Sequence, residues 1–303
     1  RRRGQRRDVP VEGAARGLGD DRLSGADGTD LLLGNGGDTL DGGAGDDTVQ
    51  LSAGYVFDNV NDLKGGGGTD LLRIEGEVTA ALAAWSTTAA AFETLNFAAG
   101  AKISGDAGAN AIDLSGAALA AGSAQASLDG GLGDDSLTGG AEADTLEGDD
   151  GADTLTGGGG VDVLIGGSGD DVYGADLTDT LVEAADGGLD EVRTLEAAYT
   201  LTAANVEVLS GAAATGQALT GSDGDNTVNG GVGDDTLAGG GGTDVLAGGA
   251  GNDAYLVDVG VVSIVELAGE GDADEIRTAQ AAYTLSTAGV ERLTGLSDGG
   301  QAL

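Results

Sequence analysis

Residues 130–174 read GGLGDDSLT GGAEADTLE GDDGADTLT GGGGVDVLI GGSGDDVYG, one nine-residue motif repeated five times without a break. Every copy has Gly at its first position, Asp at its sixth, and Leu or Tyr at its eighth. A flexible Gly/Asp-rich linker is the alternative interpretation, but it gives no reason for an apolar residue at the same position of each copy. The fixed period therefore indicates stacked copies of one structural unit.

The same motif fills two further parts of the chain. Residues 221–256 read GSDGDNTVN GGVGDDTLA GGGGTDVLA GGAGNDAYL, and residues 16–50 read RGLGDDRLS GADGTDLLL GNGGDTLD GGAGDDTVQ, with one eight-residue copy. A degenerate copy, GDAGANAID, lies at 105–113. The arrays resemble the repeats-in-toxin (RTX, hemolysin-type) calcium-binding nonapeptide repeat, and the resemblance covers roughly half of the chain.

The last three positions of the motif predict a short strand whose central side chain faces the opposite way from its two neighbours. The polar or β-branched seventh position suits the solvent side, as at Ser136, Thr145, Thr154 and Thr236. The eighth-position residues should then face inward: Leu137, Leu146, Leu155, Leu164, Tyr173, Val228, Leu237, Leu246 and Tyr255. Two motifs form one coil, and parallel crossovers are right-handed. We expect an all-β fold of right-handed parallel β-roll (β-solenoid) arrays with intervening short-strand spacer segments.

The sixth-position carboxylates are the candidate metal ligands. Coils stacked one strand spacing apart, ~4.8 Å, would place an ion halfway between them ~2.4 Å from each layer, within calcium–oxygen range. Ligands should then pair at a spacing of 18 residues, as Asp135 and Asp153 do. The candidate ligands are Asp135, Asp144, Asp153, Asp162, Asp171, Asn226, Asp235, Asp244, Asp253, Asp21, Asp30, Asp38 and Asp47. The eight-residue copy shortens the Asp21/Asp38 and Asp30/Asp47 spacings to 17, so these two sites are left open.

The available donor atoms indicate which metal the arrays would bind. The chain contains no His and no Cys, which disfavours zinc, copper and iron–sulfur sites. Oxygen donors on glycine-rich turns favour calcium over magnesium, because magnesium demands tighter octahedral geometry and retains its water. We expect about five to seven calcium ions. Without His, neither an HExxH metalloprotease nor a Ser-His-Asp hydrolase fits within this chain, and we expect no enzyme activity.

The charge of the chain restricts its partners. Asp and Glu number 52 against 13 Lys and Arg, for a net charge of −39. Nucleic acid and anionic membranes are therefore poor partners, and we expect no membrane span because no apolar run reaches ~20 residues. The absence of Cys leaves calcium to take the stabilising role that disulfides have in many extracellular domains. The basic residues 1–15 are interpreted as a disordered terminus, with a polyanion-binding arm as the alternative.

Two segments that follow arrays resemble each other, at 171–211 and 253–295, and we interpret them as spacers. The expected organisation is a basic terminus at 1–15 and three array-plus-spacer units at 16–104, 105–220 and 221–303. Glu93, Glu207 and Glu291 recur before a Leu-containing strand. A structural role explains this recurrence better than a catalytic one, because one active site needs one constellation of residues and a repeat copies a structural carboxylate.

The resemblance implies a function outside the cell. Proteins of the RTX family pass a type I secretion exporter unfolded and fold on binding extracellular calcium. We therefore expect a secreted or cell-surface calcium-binding module that forms part of a larger exported protein, with calcium and the exporter as its partners. Two alternatives stay open, a structural repeat of an adhesin or surface layer, and the non-catalytic tail of a secreted hydrolase or polysaccharide-modifying enzyme.

Overall fold

The computed structural model describes residues 8–10, 15–16, 22–34, 38–57, 62–80, 84–120, 124–185, 187–257, 261–266, 271, 273–279 and 289–295. These residues form two compact units, Arg1–Gly169 with Thr178–Thr180, and Asp170–Leu177 with Leu181–Leu303. Within each unit the paired strands run parallel and stack coil upon coil, as in a β-solenoid. The predicted fold class is confirmed.

The strands of the first unit are short and closely spaced along the chain. They are β1 (Asp8–Pro10), β2 (Ala15–Arg16), β3 (Arg22–Asp27), β4 (Leu31–Gly34), β5 (Thr39–Ala44), β6 (Thr48–Leu51), β7 (Val56–Phe57), β8 (Leu63–Gly67), β9 (Leu71–Ile74), β10 (Val78–Ala80), β11 (Trp85–Ser86), β12 (Thr94–Phe97), β13 (Ile103–Ser104), β14 (Ala111–Asp113), β15 (Ala118–Leu119), β16 (Ser127–Leu132), β17 (Ser136–Thr138), β18 (Thr145–Asp150), β19 (Thr154–Thr156) and β20 (Val163–Ser168). One helical turn, α1 (Thr87–Ala90), interrupts them. Their sheet orders are β1-β3-β5-β8, β2-β4-β6-β9-β12-β15, β7-β10-β13-β16-β18-β20 and β11-β14-β17-β19.

The second unit has the same construction. Its strands are β21 (Val172–Gly174), β22 (Thr180–Val182, of which Thr180 belongs to the first unit), β23 (Glu191–Thr194), β24 (Ala198–Thr200), β25 (Val208–Gly211), β26 (Ala218–Thr220), β27 (Thr227–Val232), β28 (Thr236–Ala238), β29 (Thr243–Ala250), β30 (Ala254–Leu256), β31 (Val261–Val265), β32 (Glu275–Thr278) and β33 (Arg292–Gly295). Two sheets stack in the orders β21-β23-β25-β27-β29-β31 and β24-β26-β28-β30-β32-β33.

The eighth-position side chains form the core of the arrays. All nine predicted inward residues, from Leu137 to Tyr255, have 0% of their surface exposed. Stacked coils pair in the predicted register, with Leu137 opposite Leu155 and Val228 opposite Leu246. The seventh-position residues Ser136 and Thr154 are exposed. Each buried Leu contributes ~1.5–3 kcal/mol, so a thin solenoid is stabilised by one such residue per strand.

The strand length differs between the two sides of a coil. On one side β17, β19, β28 and β30 have the predicted three residues. On the other side β16, β18 and β20 have six, because pairing continues through the glycine turn, with Gly131 opposite Asp149. The expectation of three-residue strands is therefore wrong for alternate motifs.

The segments interpreted as spacers form further coils of the same solenoid. In the second unit β21 pairs with β23, β23 with β25, and β25 with β27, so Tyr173 lies opposite Val192 and Val192 opposite Leu209. In the first unit Val49 lies opposite Leu72, although the two are 23 residues apart in the chain. The extra residues of these longer coils lie in the connections, while the central strand residue still faces inward.

The aromatic residues of the first unit fill its longer coils. Tyr55, Phe57, Phe92 and Phe97 are fully buried, and the Phe57 ring lies 5.4 Å from that of Trp85. Within residues 1–15, Asp8–Pro10 is a strand paired with Arg22–Ser24, so the expected disorder does not extend to these three residues. Among the described residues, no helix has the length and apolar character that crossing a membrane requires.

Candidate metal centre

The turns of the motif depend on glycine in two different ways. Glycines at the second and fourth positions adopt positive φ, as Gly131 (98°) and Gly133 (114°) do, a region in which side chains other than Gly are strained. Asp149 occupies a second position at φ 72°, a conformation that Asp tolerates better than most residues. The glycines at these two positions are therefore explained by the left-handed backbone of the turn.

The first-position glycine has ordinary φ, and it is required because another coil approaches it closely. A Cβ added to Gly130 would lie 2.5 Å from Asp135 Oδ2 and 2.8 Å from the carbonyl oxygen of Gly148. A Cβ added to Gly230 would meet Asp235 Oδ2 at 2.5 Å and the Gly248 carbonyl oxygen at 2.6 Å. A carboxylate oxygen and a carbonyl oxygen from the next coil thus converge beside each of these glycines.

The sixth-position side chains are joined from coil to coil by hydrogen bonds. In each bond the backbone N–H of one sixth-position residue donates to the carboxylate of the residue one coil later. At the 18-residue spacing these bonds are Asp135 to Asp153 (2.7 Å), Asp144 to Asp162 (2.8 Å), Asn226 to Asp244 (3.0 Å) and Asp235 to Asp253 (2.7 Å). We call this series the Asp ladder. It brings together the pairs that the spacing predicted.

The ladder tolerates coils of other lengths. The N–H of Asp30 donates to Asp47 at 2.8 Å over 17 residues, so the eight-residue copy preserves the contact that the sequence left open. The N–H of Asp47 donates in turn to Asp70 at 2.8 Å over 23 residues. The contact therefore depends on the stacking of the strands and not on the number of residues in the connection.

Each ladder carboxylate uses one oxygen for the backbone and leaves the other buried. The second oxygen has no hydrogen-bond partner at Asp30, Asp47, Asp70, Asp135, Asp144, Asp190, Asp235, Asp244, Asp253 and Asp274. Each of these side chains is at most 4% exposed. Buried polar atoms normally have a partner, and an unpaired buried charge is strongly destabilising. A row of such oxygens is the arrangement expected of ligands for a cation.

The electrostatics of the ladder point the same way. Burial raises the pKa of Asp135 to about 6, and the neighbouring carboxylates of Asp153 and Asp106 raise it further, against the hydrogen bond from the backbone of Asn110. Burial likewise raises the pKa of Asp253 to about 6, with Asp235 and Asp274 adding repulsion. The ionised ladder is therefore unfavourable without a counter-charge.

The donors fit calcium. They are carboxylate oxygens of the sixth position and backbone carbonyl oxygens of first-position glycines, all hard oxygen ligands on turns. Each ion would be held by ligands from successive coils, because the carboxylate and the nearby carbonyl belong to different coils.

The structure places the predicted ligands as follows. Asp21 lies outside the described residues. The others are all buried, with exposed fractions of 4% or less: Asp30, Asp38, Asp47, Asp135, Asp144, Asp153, Asp162, Asp171, Asn226, Asp235, Asp244 and Asp253. Their assignment as calcium ligands stays a prediction.

The ladder also contains residues that the sequence analysis missed. Asp70, Asn110, Asp190, Gln217 and Asp274 are all buried at the same place in their coils. Asp70 had a clear signal, since 65–73 reads GGGGTDLLR, a full copy of the motif. For Asp190 and Asp274 the signal was an acidic residue two positions before the inward Val192 and Ile276, without the complete glycine pattern.

The recurring glutamates also belong to the ladder. The N–H of Asp70 donates to Glu93 at 2.8 Å, that of Asp190 to Glu207 at 3.0 Å, and that of Asp274 to Glu291 at 3.0 Å. Each glutamate therefore accepts the bond that an aspartate accepts elsewhere. This contact supports the structural interpretation of their recurrence.

A family comparison agrees with this geometry. The RTX calcium-binding nonapeptide repeat (4 copies) matches residues 17–38, 34–55, 127–155, 138–173 and 220–255. The matches fall on the three arrays and end before the longer coils that follow each one. A search of curated proteins gave no match to the chain.

Proposed function

The three arrays of this chain belong to the RTX calcium-binding nonapeptide repeats, and from this premise we propose that calcium binding to the Asp ladder drives folding of the solenoid. The observation that carries the proposal is the buried second oxygen of each ladder aspartate, such as Asp235 Oδ2, which has no hydrogen-bond partner. Folding buries these charges, and calcium compensates them only in the folded chain.

The energetics follow from linkage. A cation that binds only the folded chain adds its binding free energy to folding, ~1.4 kcal/mol per site at a tenfold excess over the dissociation constant. The net charge of −39 disfavours compaction until cations neutralise it. Several weak sites acting together would then convert an unfolded chain into a folded one over a narrow range of calcium concentration. We propose about five to seven ions, one for each well-formed pair of ladder ligands.

The same linkage suggests where the protein acts. Extracellular modules bind calcium with dissociation constants of about 10⁻⁴–10⁻³ M, so weak sites fill outside the cell and stay empty in the cytosol. We propose that the chain is a module of a larger protein that a type I exporter secretes unfolded, and that it folds in the extracellular medium. The absence of Cys is consistent with calcium in place of disulfides there.

We propose that the module has no catalytic role of its own. Supporting this, the recurring carboxylates Glu93, Glu207 and Glu291 each accept a backbone hydrogen bond within the ladder. These bonds account for the recurrence without a reaction.

Calorimetric titration of the purified chain tests the proposal. Calcium should bind to several sites, and the replacement Asp244→Asn should weaken binding, because it removes a buried charge and preserves the side-chain shape. The exposed Asp223 of the same array provides the matched control, Asp223→Asn, which should bind as the wild type does. Absence of calcium binding, or equal weakening by both replacements, would contradict the proposal.

A further inference from the structure

Two groups of carboxylates lie at the ends of the second and third arrays. The first consists of Asp171, Glu183 and Asp190, and the second of Asp253, Glu266 and Asp274. Within each group, one oxygen from every residue lies within 4.8 Å of the others. We call them the two end clusters. Each joins the last Asp of an array to a Glu and an Asp from the segment that follows.

The arrangement occurs twice although the connecting chain differs. The first aspartates are 82 residues apart in sequence, the glutamates 83, and the last aspartates 84. One residue has thus been added on each side of the glutamate in the second copy. The three carboxylates nevertheless converge in both copies, so their proximity does not follow from a rigidly copied loop length.

A tyrosine holds the glutamate of each end cluster. The hydroxyl of Tyr173 donates to Glu183 Oε2, and that of Tyr255 donates to Glu266 Oε1. Both tyrosines are fully buried at the eighth position of the last motif, where the other motifs have an aliphatic residue. The larger side chain thus supplies a hydroxyl at the one coil where a glutamate comes inward.

The aspartates of the end clusters direct unpartnered oxygens toward the glutamate. Asp190 Oδ2, Asp253 Oδ2 and Asp274 Oδ2 are buried without a hydrogen-bond partner, and their side chains are each 1% exposed. In the second cluster the geometry is sharp, since a Cβ added to Gly248 would touch Asp253 Oδ2, the Tyr255 hydroxyl and Glu266 Oε1. Three oxygens therefore face one point.

Three ionised carboxylates at this distance repel one another, and burial adds the cost of desolvation. The charged groups that act on Asp190 are the carboxylates of Glu183, Glu207 and Asp170, which add to the repulsion. A hard divalent cation would satisfy all three carboxylates, and calcium accepts such oxygen sets.

We propose that each end cluster binds one calcium ion through three side-chain carboxylates, at a site distinguished from the turns by its glutamate. The inference rests on the proposed calcium function. Such an ion would join the last repeat of an array to the coil that follows it, so that the array and the longer coil fold together.

Terbium, a luminescent substitute for calcium, provides the test because a neighbouring tyrosine sensitises its emission. The full chain should show terbium emission on tyrosine excitation, displaced by calcium. Glu183→Gln and Glu266→Gln should each lose about half of the emission and the double variant nearly all, since independent sites add. Glu196→Gln, a carboxylate of the same unit outside both clusters, is the matched control and should retain it.

Circular dichroism separates this inference from the proposed function. The double variant should still gain β signal in calcium, because its turns are intact. If the wild type gains none, the proposed function fails. If the wild type folds but the double variant keeps its emission, or the wild type emits nothing, the end clusters are not cation sites.

A second pair of variants locates the ion if the glutamate variants do not fold. Tyr173→Phe with Tyr255→Phe keeps all six carboxylates and removes the sensitising rings. Emission should disappear while terbium, measured after dialysis, stays bound. Emission that persists would come from Tyr55, Tyr199 or Tyr283 and would overturn the proposal.

Discussion

The backbone N–H of Asp235 donates to Oδ1 of Asp253, 18 residues further along the chain, at 2.7 Å. The bond fixes the carboxylate of one coil against the backbone of the coil before it and leaves Asp253 Oδ2 buried without a hydrogen-bond partner. The Asp ladder therefore contributes both to the stacking of coils and to the free oxygens that a cation would need.

Replacement of a central ladder residue should be more damaging than replacement of an outer one. Asp153 has carboxylates 18 residues away on both sides in sequence, at Asp135 and Asp171, whereas Asp135 is preceded in the ladder by the neutral amide of Asn110. Asp153→Ala should raise the calcium midpoint of folding about twice as much, on a logarithmic scale, as Asp135→Ala, because solenoid coils couple to their neighbours. Calcium titrations followed by circular dichroism measure both midpoints. Equal midpoints would contradict the account of paired ligands.

A methyl group at the first motif position should block the site. Gly230→Ala places a Cβ 2.5 Å from Asp235 Oδ2 and 2.6 Å from the Gly248 carbonyl oxygen, and such overpacking costs about 1–3 kcal/mol. Gly224→Ala in the same array meets only Ser222 Oγ at 3.5 Å and should be nearly neutral. Urea unfolding in saturating calcium compares the two variants. The close approach is not as described if they lose the same stability.

The register of the core is tested by neighbouring residues of one strand. Leu155 is fully buried and Thr154 is exposed. Leu155→Ala should reduce the free energy of unfolding by about 2–5 kcal/mol, and Thr154→Ala should change it by less than about 0.5 kcal/mol. Chemical denaturation in calcium gives both values. A larger loss at Thr154 would reverse the assigned faces of the strand.

Acid should favour the metal-free fold. Burial raises the pKa of Asp135, Asp190 and Asp253 from 3.8 to about 6 in the folded chain. The stability contributed by protonating these groups is present at pH below 3.8 and is lost as the pH rises through about 6. In chelator, the β signal should therefore increase between pH 7.5 and pH 5, and the calcium midpoint should rise because protons compete for the same oxygens. A metal-free chain that loses β signal on acidification would contradict the assignment of these carboxylates.

The arrays were predictable because their sequence states the structure directly. An apolar residue every nine positions determines which side chains are buried, and the spacing of Asp135 and Asp153 determines the ladder. The longer coils were not predictable in the same way. Tyr173 and Val192 stack one coil apart over 19 residues, and only the strand pairing, not a sequence period, identifies them as equivalent.

The end clusters illustrate a second limit. Glu183 follows Tyr173 by ten residues and Glu266 follows Tyr255 by eleven, so no fixed spacing marks them as ligands. Their proximity depends on the path of a connection whose length differs between the two copies. By contrast, Asp70 was recognisable in sequence, and it was missed because its motif follows a coil of irregular length.

Circular dichroism of the full chain with and without calcium tests the central claim most directly. The account predicts a largely disordered chain in chelator at pH 7.5 and a cooperative gain of β signal in millimolar calcium, with magnesium at the same concentration far less effective because of its stricter coordination. Equal β content in chelator and in calcium would contradict the claim that calcium binding drives this solenoid to fold.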